Sequence, residues 1–207
     1  MTVVAAAARL PLRAPGSGNR RAVTAVATLA TVLLAACATP APSPLPLAAP
    51  PAADAPFELS ARVAARRGDD SVAASVAWRH APPRDRLTIS SPFGQALAEL
   101  DGEEGSVRLT KADGTVAFAP DWPTLTERAL GVPLPVAGMA WWIRGWPRPD
   151  RAHTVERDAA GRATVLRQDG WEVVYGYGAA AGEDVRPSRV TLAYPGFDVR
   201  IVVDAWR

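Results

Sequence analysis

Cys37 is the only cysteine of this 207-residue chain, and its surroundings restrict what its thiol can do. It follows Leu34-Ala35-Ala36 at the end of a 15-residue apolar run from Ala22 to Ala36, which Arg20-Arg21 precedes. A charged segment, a short apolar stretch and small residues at a cleavage point are typical of a secretory signal peptide. The run is short for a membrane-spanning helix, which needs about 20 apolar residues. We therefore expect residues 1–36 to be a signal peptide that is cleaved just before Cys37.

The tetrapeptide Leu34-Ala35-Ala36-Cys37 resembles the lipobox of bacterial lipoproteins. In those proteins the cysteine thiol is diacylglycerylated and the new amino group is acylated, so the resemblance implies a lipid anchor on Cys37. The alternatives are an incidental cysteine and, from Arg20-Arg21, a twin-arginine signal that no further feature supports. An acylated Cys37 leaves no thiol for a disulfide, a nucleophile or a metal site.

The remaining reactive side chains form no recognisable catalytic set. His80 and His153 are the two histidines, and neither has a serine, a cysteine or a paired acid at a recognisable spacing. Asp198 and Asp204 are spaced carboxylates on an alternating strand, and we expect both to be solvated surface residues. The sequence has no Gly-rich phosphate loop, no Gly-x-Ser-x-Gly and no His-Glu-x-x-His. We therefore expect no enzymatic activity, no metal and no cofactor.

The charge balance gives no indication of a nucleic-acid partner. The signal segment contains four arginines and no acid, so the mature chain has 23 − 4 = 19 basic and 21 acidic residues, a net charge of −2. Its basic residues are arginines apart from Lys111, and they form no cluster with interleaved aromatic residues.

Composition divides the mature chain into a tether and one domain. Seven of the 19 residues from Ala38 to Pro56 are proline, which predicts an extended, semi-rigid tether that, from the acylated residue 37, reaches about 60 Å. The residues from Phe57 to Arg207 have a globular composition and a length normal for one domain.

The domain alternates apolar and polar residues over short runs. This period is typical of antiparallel strands with one buried face. It occurs at Val72-Ala74-Val76-Trp78, Leu87-Ile89, Val107-Leu109, Val190-Leu192-Tyr194 and Val199-Ile201-Val203-Ala205. Turns are predicted at Gly68-Asp69-Asp70, Asp101-Gly102, Asp113-Gly114, Ala160-Gly161 and Pro195-Gly196.

The middle of the domain predicts two helices between two groups of strands. Asp121 can cap a helix that ends at Gly131, and a second helix is expected from Val136 to Ile143, ending at Gly145. Strands, helices and strands in this order predict an α+β fold in which the helices cover one face of a curved antiparallel sheet.

Several blocks occur in a specific order along the domain. They are Phe57-Glu58-Leu59-Ser60-Ala61-Arg62-Val63-Ala64, the strand ending in Trp78, Asp85-Arg86-Leu87, Ser91-Pro92-Phe93-Gly94, Leu130-Gly131-Val132-Pro133-Leu134-Pro135, Trp142-Ile143-Arg144-Gly145-Trp146-Pro147, Gln168-Asp169-Gly170-Trp171-Glu172-Val173-Val174-Tyr175 and a last strand closing on Trp206. In this order and spacing the blocks resemble the LolB family of outer-membrane lipoprotein receptors. The family usually has glycine, or an adjacent small residue, where Ala61 stands, which is a mild departure.

The resemblance implies an open half-barrel with an apolar cavity for acyl chains between sheet and helices. It also implies a lipid-anchored protein on the periplasmic face of the outer membrane. Such a protein accepts lipoproteins from a LolA-like periplasmic carrier and inserts them into the outer-membrane lipid. We expect a monomer. Trp171 and Trp206 are expected to be structural, and the candidates for the cavity wall are Trp78, Leu87, Ile89, Leu100, Leu109, Phe118, Leu130, Met139, Trp142 and Ile143.

Phe93 stands apart from these candidates because it lies in the predicted turn Pro92-Phe93-Gly94. Loops normally face water, so a large apolar side chain at a turn is unusual. In the LolB family an apolar residue at this place protrudes and is implicated in membrane insertion. Packing of Phe93 back onto the domain is the alternative.

Two other functions remain open at this point. One is a structural or envelope-assembly lipoprotein whose closed β core binds no lipid. The other is a periplasmic carrier, which the lipobox disfavours because a shuttling carrier is not anchored. An open, apolar-lined space between sheet and helices would distinguish the receptor from the structural protein.

Overall fold

The computed structural model describes residues 50, 52, 55–103, 105–178 and 186–207. Cys37, the expected signal peptide and most of the expected tether lie outside the described residues. Among the residues that are described, the buried core runs from Phe57 to Ile201, and Trp206 packs against it. A chain that begins at residue 38 therefore contains all of this described core.

The described residues form eleven strands and two helices. Their bounds are β1 Phe57–Arg67, β2 Asp70–Ala81, β3 Arg84–Ser90, β4 Ala96–Glu103, β5 Ser106–Lys111, β6 Val116–Ala119, α1 Trp122–Leu130, α2 Val136–Trp142, β7 His153–Arg157, β8 Ala163–Gln168, β9 Trp171–Gly176, β10 Arg189–Tyr194 and β11 Phe197–Trp206.

All strands belong to one antiparallel sheet in the order β6-β5-β4-β3-β2-β1-β11-β10-β9-β8-β7. Strands that are consecutive in sequence are neighbours in the sheet except β6 and β7, which lie at opposite edges. At the centre, β1 pairs with β11 from Leu59 to Arg67. The sheet is open, with β6 and β7 as the two edges among the described strands. The sequence-based prediction of an antiparallel sheet with two helices between two groups of strands is confirmed.

The strand register places the alternating apolar residues on one face. Val63 of β1 lies opposite Ala74 of β2 and Ile201 of β11, and the same apolar face continues to Leu166 on β8. This face carries the core, whereas Asp198 and Asp204 are exposed on the other face, as expected. Arg62 contacts Asp204 at 2.9 Å there.

The predicted boundaries of α1 match the structure. The Asp121 side chain accepts a hydrogen bond from the Thr124 N–H at 2.7 Å, which satisfies one of the free N–H groups of the first turn. Gly131 ends the helix in the left-handed conformation, with φ +70°, which glycine adopts without a steric penalty. The second helix ends one residue earlier than predicted, with Ile143 as its C-cap.

One predicted turn is wrong. Asp101 and Gly102 lie within β4, which continues to Glu103 before the chain turns. The glycine is needed for another reason: a Cβ at residue 102 would lie 2.5 Å from the Ser106 carbonyl oxygen and 2.6 Å from the Val107 Cα. Gly102 therefore permits the close approach of β5.

Candidate functional site

The two helices cover the flanks of the apolar face and leave its centre uncovered. On one flank, α1 packs against β5 and β6. On the other flank, the Trp142 ring of α2 lies 6.3 Å from the Trp171 ring of β9, and the Trp142 indole N–H donates to the Gln168 amide oxygen of β8 at 2.7 Å. The central strands β11, β1, β2 and β3 keep an apolar surface that neither helix fills.

This uncovered surface forms a cleft of about 600 Å³. Its floor alternates along β1 at Leu59, Ala61, Val63 and Ala65, and charged residues occur only near the β1–β2 turn. The other lining residues are Arg66, Arg67, Asp70, Ser71, Val72, Ala74, Val76, Trp78, Leu87, Ile89, Leu97, Ala98, Leu130, Leu134, Met139, Ile143, Phe197, Val199 and Ile201.

The cleft has one buried end and one exposed end. Leu59 and Trp78 are both only 4% exposed, whereas Val72 is 60% and Leu130 is 49% exposed. Because adjacent strands are antiparallel, the β1–β2 turn and the β3–β4 turn lie at the same end of the sheet. The cleft therefore opens to solvent at the end that carries Phe93.

Phe93 projects from the β3–β4 turn and is 95% exposed. Its turn is held by backbone and serine contacts: the Ser91 hydroxyl accepts from the N–H groups of Phe93 and Gln95 at 3.3 and 3.2 Å, and the Gly94 N–H donates to the Ser91 carbonyl at 2.9 Å. Phe93 does not pack back onto the domain.

The cavity-wall candidates fall into three groups. The cleft brings together Trp78, Leu87, Ile89, Leu130, Met139 and Ile143. Leu100, Leu109 and Trp142 do not line it; they are buried in the core, at 7%, 6% and 0% exposure, where the helices cover the flanks. The third group is Phe118 alone.

Phe118 lies on the opposite face of the sheet from the other candidates. It pairs with Arg108 of β5 and is 66% exposed, whereas the apolar face of β5 is formed by Val107 and Leu109. The structure therefore differs from the sequence-based prediction here. Both faces of the short strand β6 are apolar, so alternation could not show which face is buried.

The lining includes residues that were not among the candidates, chiefly the floor on β1 and Phe197, Val199 and Ile201 on β11. Their alternation is visible in the sequence. The pairing of β1 with β11, which brings the two ends of the domain to the centre of the sheet, has no local signal.

A polar cluster closes the buried end of the cleft. The Asp85 carboxylate accepts from the Trp78 indole N–H at 2.7 Å, and its same oxygen lies 2.8 Å from His80 Nδ1. No paired acid stands at a recognisable sequence spacing from His80, and it is the β2–β3 register that places Asp85 directly opposite it. The Phe57 ring lies 4.9 Å from the imidazole, and His80 and Asp85 are 8% and 4% exposed. Their arrangement fixes the Trp78 ring at the end of the cleft.

Arg144 is a second buried polar residue near this end. Its guanidinium lies 5.4 Å from the Phe57 ring centre and 5.2 Å from that of Trp141, and its Nε donates to the Ala140 carbonyl at 2.8 Å. Burial, together with nearby Arg186, lowers the pKa of Arg144. An arginine still remains protonated at neutral pH, so we infer that Arg144 supports the packing of α2 on β1.

His153 is exposed and does not contribute to the cleft; its Nδ1 lies 3.0 Å from the Arg151 carbonyl oxygen. In the described part of the chain, no group of three His, Cys, Asp or Glu side chains is placed to hold a metal ion. No helix in the same residues is long and apolar enough to cross a membrane.

The described domain is thus an open antiparallel sheet with an apolar cleft between its two helices. Comparison with known sequences then identifies the family. The family model for the outer membrane lipoprotein LolB matches residues 55–206, and the chain belongs to this family. The resemblance seen in the sequence is thereby confirmed.

Individual relatives cover nearly the whole chain. The outer-membrane lipoprotein LolB of Thiobacillus denitrificans is 36% identical over 90% of this chain and 98% of its own length. That of Chromobacterium violaceum is 38% identical over 85% of this chain and 94% of its own length. Among solved structures, a LolA superfamily protein from Nitrosomonas europaea matches with a TM-score of 0.48 and 10% identity, over 74% of this chain and 86% of that chain.

Proposed function

We propose that this protein is an outer-membrane lipoprotein that receives the acyl chains of other lipoproteins in its cleft and inserts these lipoproteins into the outer membrane. We further propose that Cys37 carries its own lipid anchor and that the domain faces the periplasm. The observation that carries the proposal is the cleft of about 600 Å³, which opens at the end of the sheet where Phe93 protrudes.

The physical need for such a cleft follows from the cost of exposing acyl chains. Each methylene group transferred out of water contributes about 0.8 kcal/mol, so an acylated protein cannot cross an aqueous compartment with its chains exposed. Acceptance and release need no covalent chemistry. They require an apolar site that binds more tightly than the donor and less tightly than a bilayer.

The cleft lining suits a ligand without a fixed shape. The floor residues on β1 are small or branched, and Met139 contributes a flexible side chain that adapts to irregular partners. The exposed end would receive the chains from a LolA-like carrier, and the same end would face the membrane for release. A monomer is sufficient for both steps, since the lining comes from one chain.

The structural alternative, a lipoprotein with a closed β core, is less well supported. A closed core would have helices or side chains filling the centre of the apolar face. Instead, Val72, Leu97 and Leu130 are large apolar residues at 60%, 41% and 49% exposure, and all three line the cleft.

A pair of matched variants tests the acyl-binding step. Met139→Glu places a carboxylate in the cleft, whereas Phe118→Glu makes the same kind of change on the opposite face. Burying a neutral polar group without a partner costs about 1–3 kcal/mol in proteins, and burying a carboxylate costs more. Met139→Glu is therefore expected to reduce cargo acceptance by at least about 5-fold. Phe118→Glu is expected to leave acceptance unchanged.

The assay measures transfer of a triacylated lipoprotein from a purified carrier to the soluble form, residues 38–207, by co-elution. Circular dichroism establishes that each variant is folded. Ile89→Gln is a second cleft variant in case Met139→Glu does not fold. Normal acceptance by two folded cleft variants would show that the cleft is not the acyl-binding site.

A further inference from the structure

The apolar cleft ends at one row of residues across the central strands. Trp78 of β2 lies between Leu59 of β1 and Leu87 of β3, and all three line the cleft. The row beyond them lies outside the lining and consists of Phe57, His80 and Asp85. An acyl chain that runs along the strands from the exposed end of the cleft would therefore meet the Trp78 ring last.

The Trp78 indole directs its N–H away from the cleft. This N–H donates to the Asp85 carboxyl oxygen at 2.7 Å, and Asp85 lies in the row beyond the cleft at 4% exposure. The same oxygen lies 2.8 Å from His80 Nδ1, so two side chains of β2 hold the carboxyl group of β3. An indole has no polar atom besides its N–H. The surface that Trp78 presents to the cleft is therefore apolar.

The position of the Trp78 ring depends on the acceptor at residue 85. The ring also contacts Phe57 edge to face, with the ring centroids 5.2 Å apart and the planes at 72°. A buried N–H that has lost its partner is unfavourable. Without the Asp85 oxygen the ring would turn its N–H towards the cleft, which is open to solvent. The end of the cleft would then present a polar group to an acyl chain.

We propose that Asp85 is a positioning residue for acyl binding, which holds the Trp78 indole so that the apolar part of the ring forms the end wall against which an acyl chain packs. This proposal rests on the proposed acyl-binding function and adds a residue that does not itself contact the ligand. Because Asp85 acts through the indole N–H, its contribution to ligand affinity depends on the presence of that N–H.

A double-mutant cycle on palmitate affinity tests this dependence. The Kd of the soluble form, residues 38–207, is measured by equilibrium dialysis with labelled palmitate. Asp85→Leu removes the acceptor and is expected to raise the Kd at least about fivefold, since the apparent Kd rises as the competent ring orientation is depopulated. Trp78→Phe keeps an apolar ring without the N–H, and in this background Asp85→Leu is expected to change the Kd by less than about twofold.

Asp85→Asn serves as the conservative variant. It keeps a carbonyl oxygen that can accept from the Trp78 N–H, so its Kd for palmitate is expected to stay close to that of the wild type. A residue that acted through its negative charge would not be replaced by asparagine. The comparison with Asp85→Leu therefore separates the acceptor from the charge.

The Trp78 indole N–H resonance reports the ring position directly. Trp78→Phe identifies this resonance in the ¹H–¹⁵N spectrum by its loss. In the wild type the N–H is expected to be protected from exchange with solvent, both free and saturated with palmitate. Asp85→Leu is expected to accelerate the exchange at least tenfold. The wild-type measurement keeps the proposal testable if Asp85→Leu does not fold, because exposure of this N–H in the palmitate-bound wild type would overturn it.

Gln168→Leu is the matched control. It removes the acceptor of a second buried indole, because the Trp142 N–H donates to the Gln168 amide oxygen at the same distance of 2.7 Å, but Trp142 lies in the core and does not line the cleft. Folded Gln168→Leu is expected to be less stable and to bind palmitate with wild-type affinity. Thermal unfolding shows whether each variant is folded.

The outcomes separate this proposal from the function on which it rests. Unchanged palmitate affinity in folded Asp85→Leu overturns the positioning role while leaving acyl binding intact. Equal weakening by Asp85→Leu in the wild-type and Trp78→Phe backgrounds shows that Asp85 does not act through the indole, which also overturns it. If the wild type binds no palmitate at all, the proposed acyl-binding function itself fails, and the positioning role fails with it.

Discussion

Replacing Phe93 by glutamate is expected to slow delivery to membranes without affecting folding. The ring is 95% exposed, so its removal takes no packing from the core. The hydrogen bonds of the turn involve the backbone and the Ser91 hydroxyl, and they do not depend on the side chain of residue 93. The free energy of unfolding should therefore change by less than about 0.5 kcal/mol, as for other exposed positions.

The size of the effect on delivery follows from the exposed area. Because almost the whole ring faces water, contact with a bilayer would bury nearly all of it, which contributes about 1.5–3 kcal/mol for a phenylalanine side chain. That energy corresponds to a factor of about 13 to 160 in the population of the membrane-bound orientation. Phe93→Glu should reduce the rate of transfer to liposomes by about this factor, and Phe93→Leu should largely preserve it.

A two-step assay separates the two activities of the protein. The first step transfers a triacylated lipoprotein from the carrier to this protein, and the second transfers it from this protein to liposomes. Only the second step should change in Phe93→Glu. Phe118→Glu, which removes another exposed ring, serves as the control for a general loss of apolar surface.

Two results would refute this reasoning. Unchanged transfer of cargo from the Phe93→Glu variant to liposomes would show that the ring takes no part in membrane contact. Loss of the first step instead would place Phe93 in the binding of cargo or carrier.

Three further predictions concern the anchor and the stability of the domain. Cys37→Ser should leave uncleaved, unacylated precursor; mature wild-type protein without acyl mass by mass spectrometry would contradict the lipid anchor. Gln168→Leu should lower the free energy of unfolding by about 2–6 kcal/mol, because the Trp142 indole N–H and the Arg148 main-chain N–H both donate to the Gln168 amide oxygen. A loss below about 1 kcal/mol in urea unfolding would show that these two hydrogen bonds do not stabilise the fold as expected. Asp121→Ala should cost about 1 kcal/mol at pH 7. Hydrogen bonds from Thr124 lower the pKa of Asp121 below 3.8. The difference in unfolding free energy between the wild type and Asp121→Ala should therefore be complete above pH 3.8 and disappear as the pH falls through the lower folded-state pKa. A difference that stays constant down to about pH 2 would argue against the cap.

Local sequence signals were sufficient for five of the strands and for the two helices of this fold. Alternation along β2 and β11 predicts both the strands and their buried faces, since successive side chains of a strand point to opposite sides. Asp121 and Gly131 bound α1 correctly because capping depends on interactions within one turn of helix. Local signals fail at Gly102, where the glycine serves the approach of the neighbouring strand and does not form a turn.

The position of the cleft was decided by tertiary structure. Trp78 and Leu109 lie on the same face of the sheet and have similar alternating surroundings, yet only Trp78 lines the cleft. The difference arises because α1 covers β5 and leaves β2 exposed, and helix placement depends on contacts between residues far apart in the chain. His80 and Asp85 also become partners only through the β2–β3 register.

The sequence by itself therefore determined five of the strands, the two helices, the position of Phe93 in a turn and the family. These features depend on residue types within short windows or on the order of motifs along the chain. Only the tertiary structure decided that β1 and β11 meet at the centre of the sheet, that the Phe93 ring is exposed, that Phe118 faces away from the cleft and that Asp85 lies opposite His80. Those arrangements depend on pairings between distant segments, whose energies come from surfaces that exist only after the chain has folded.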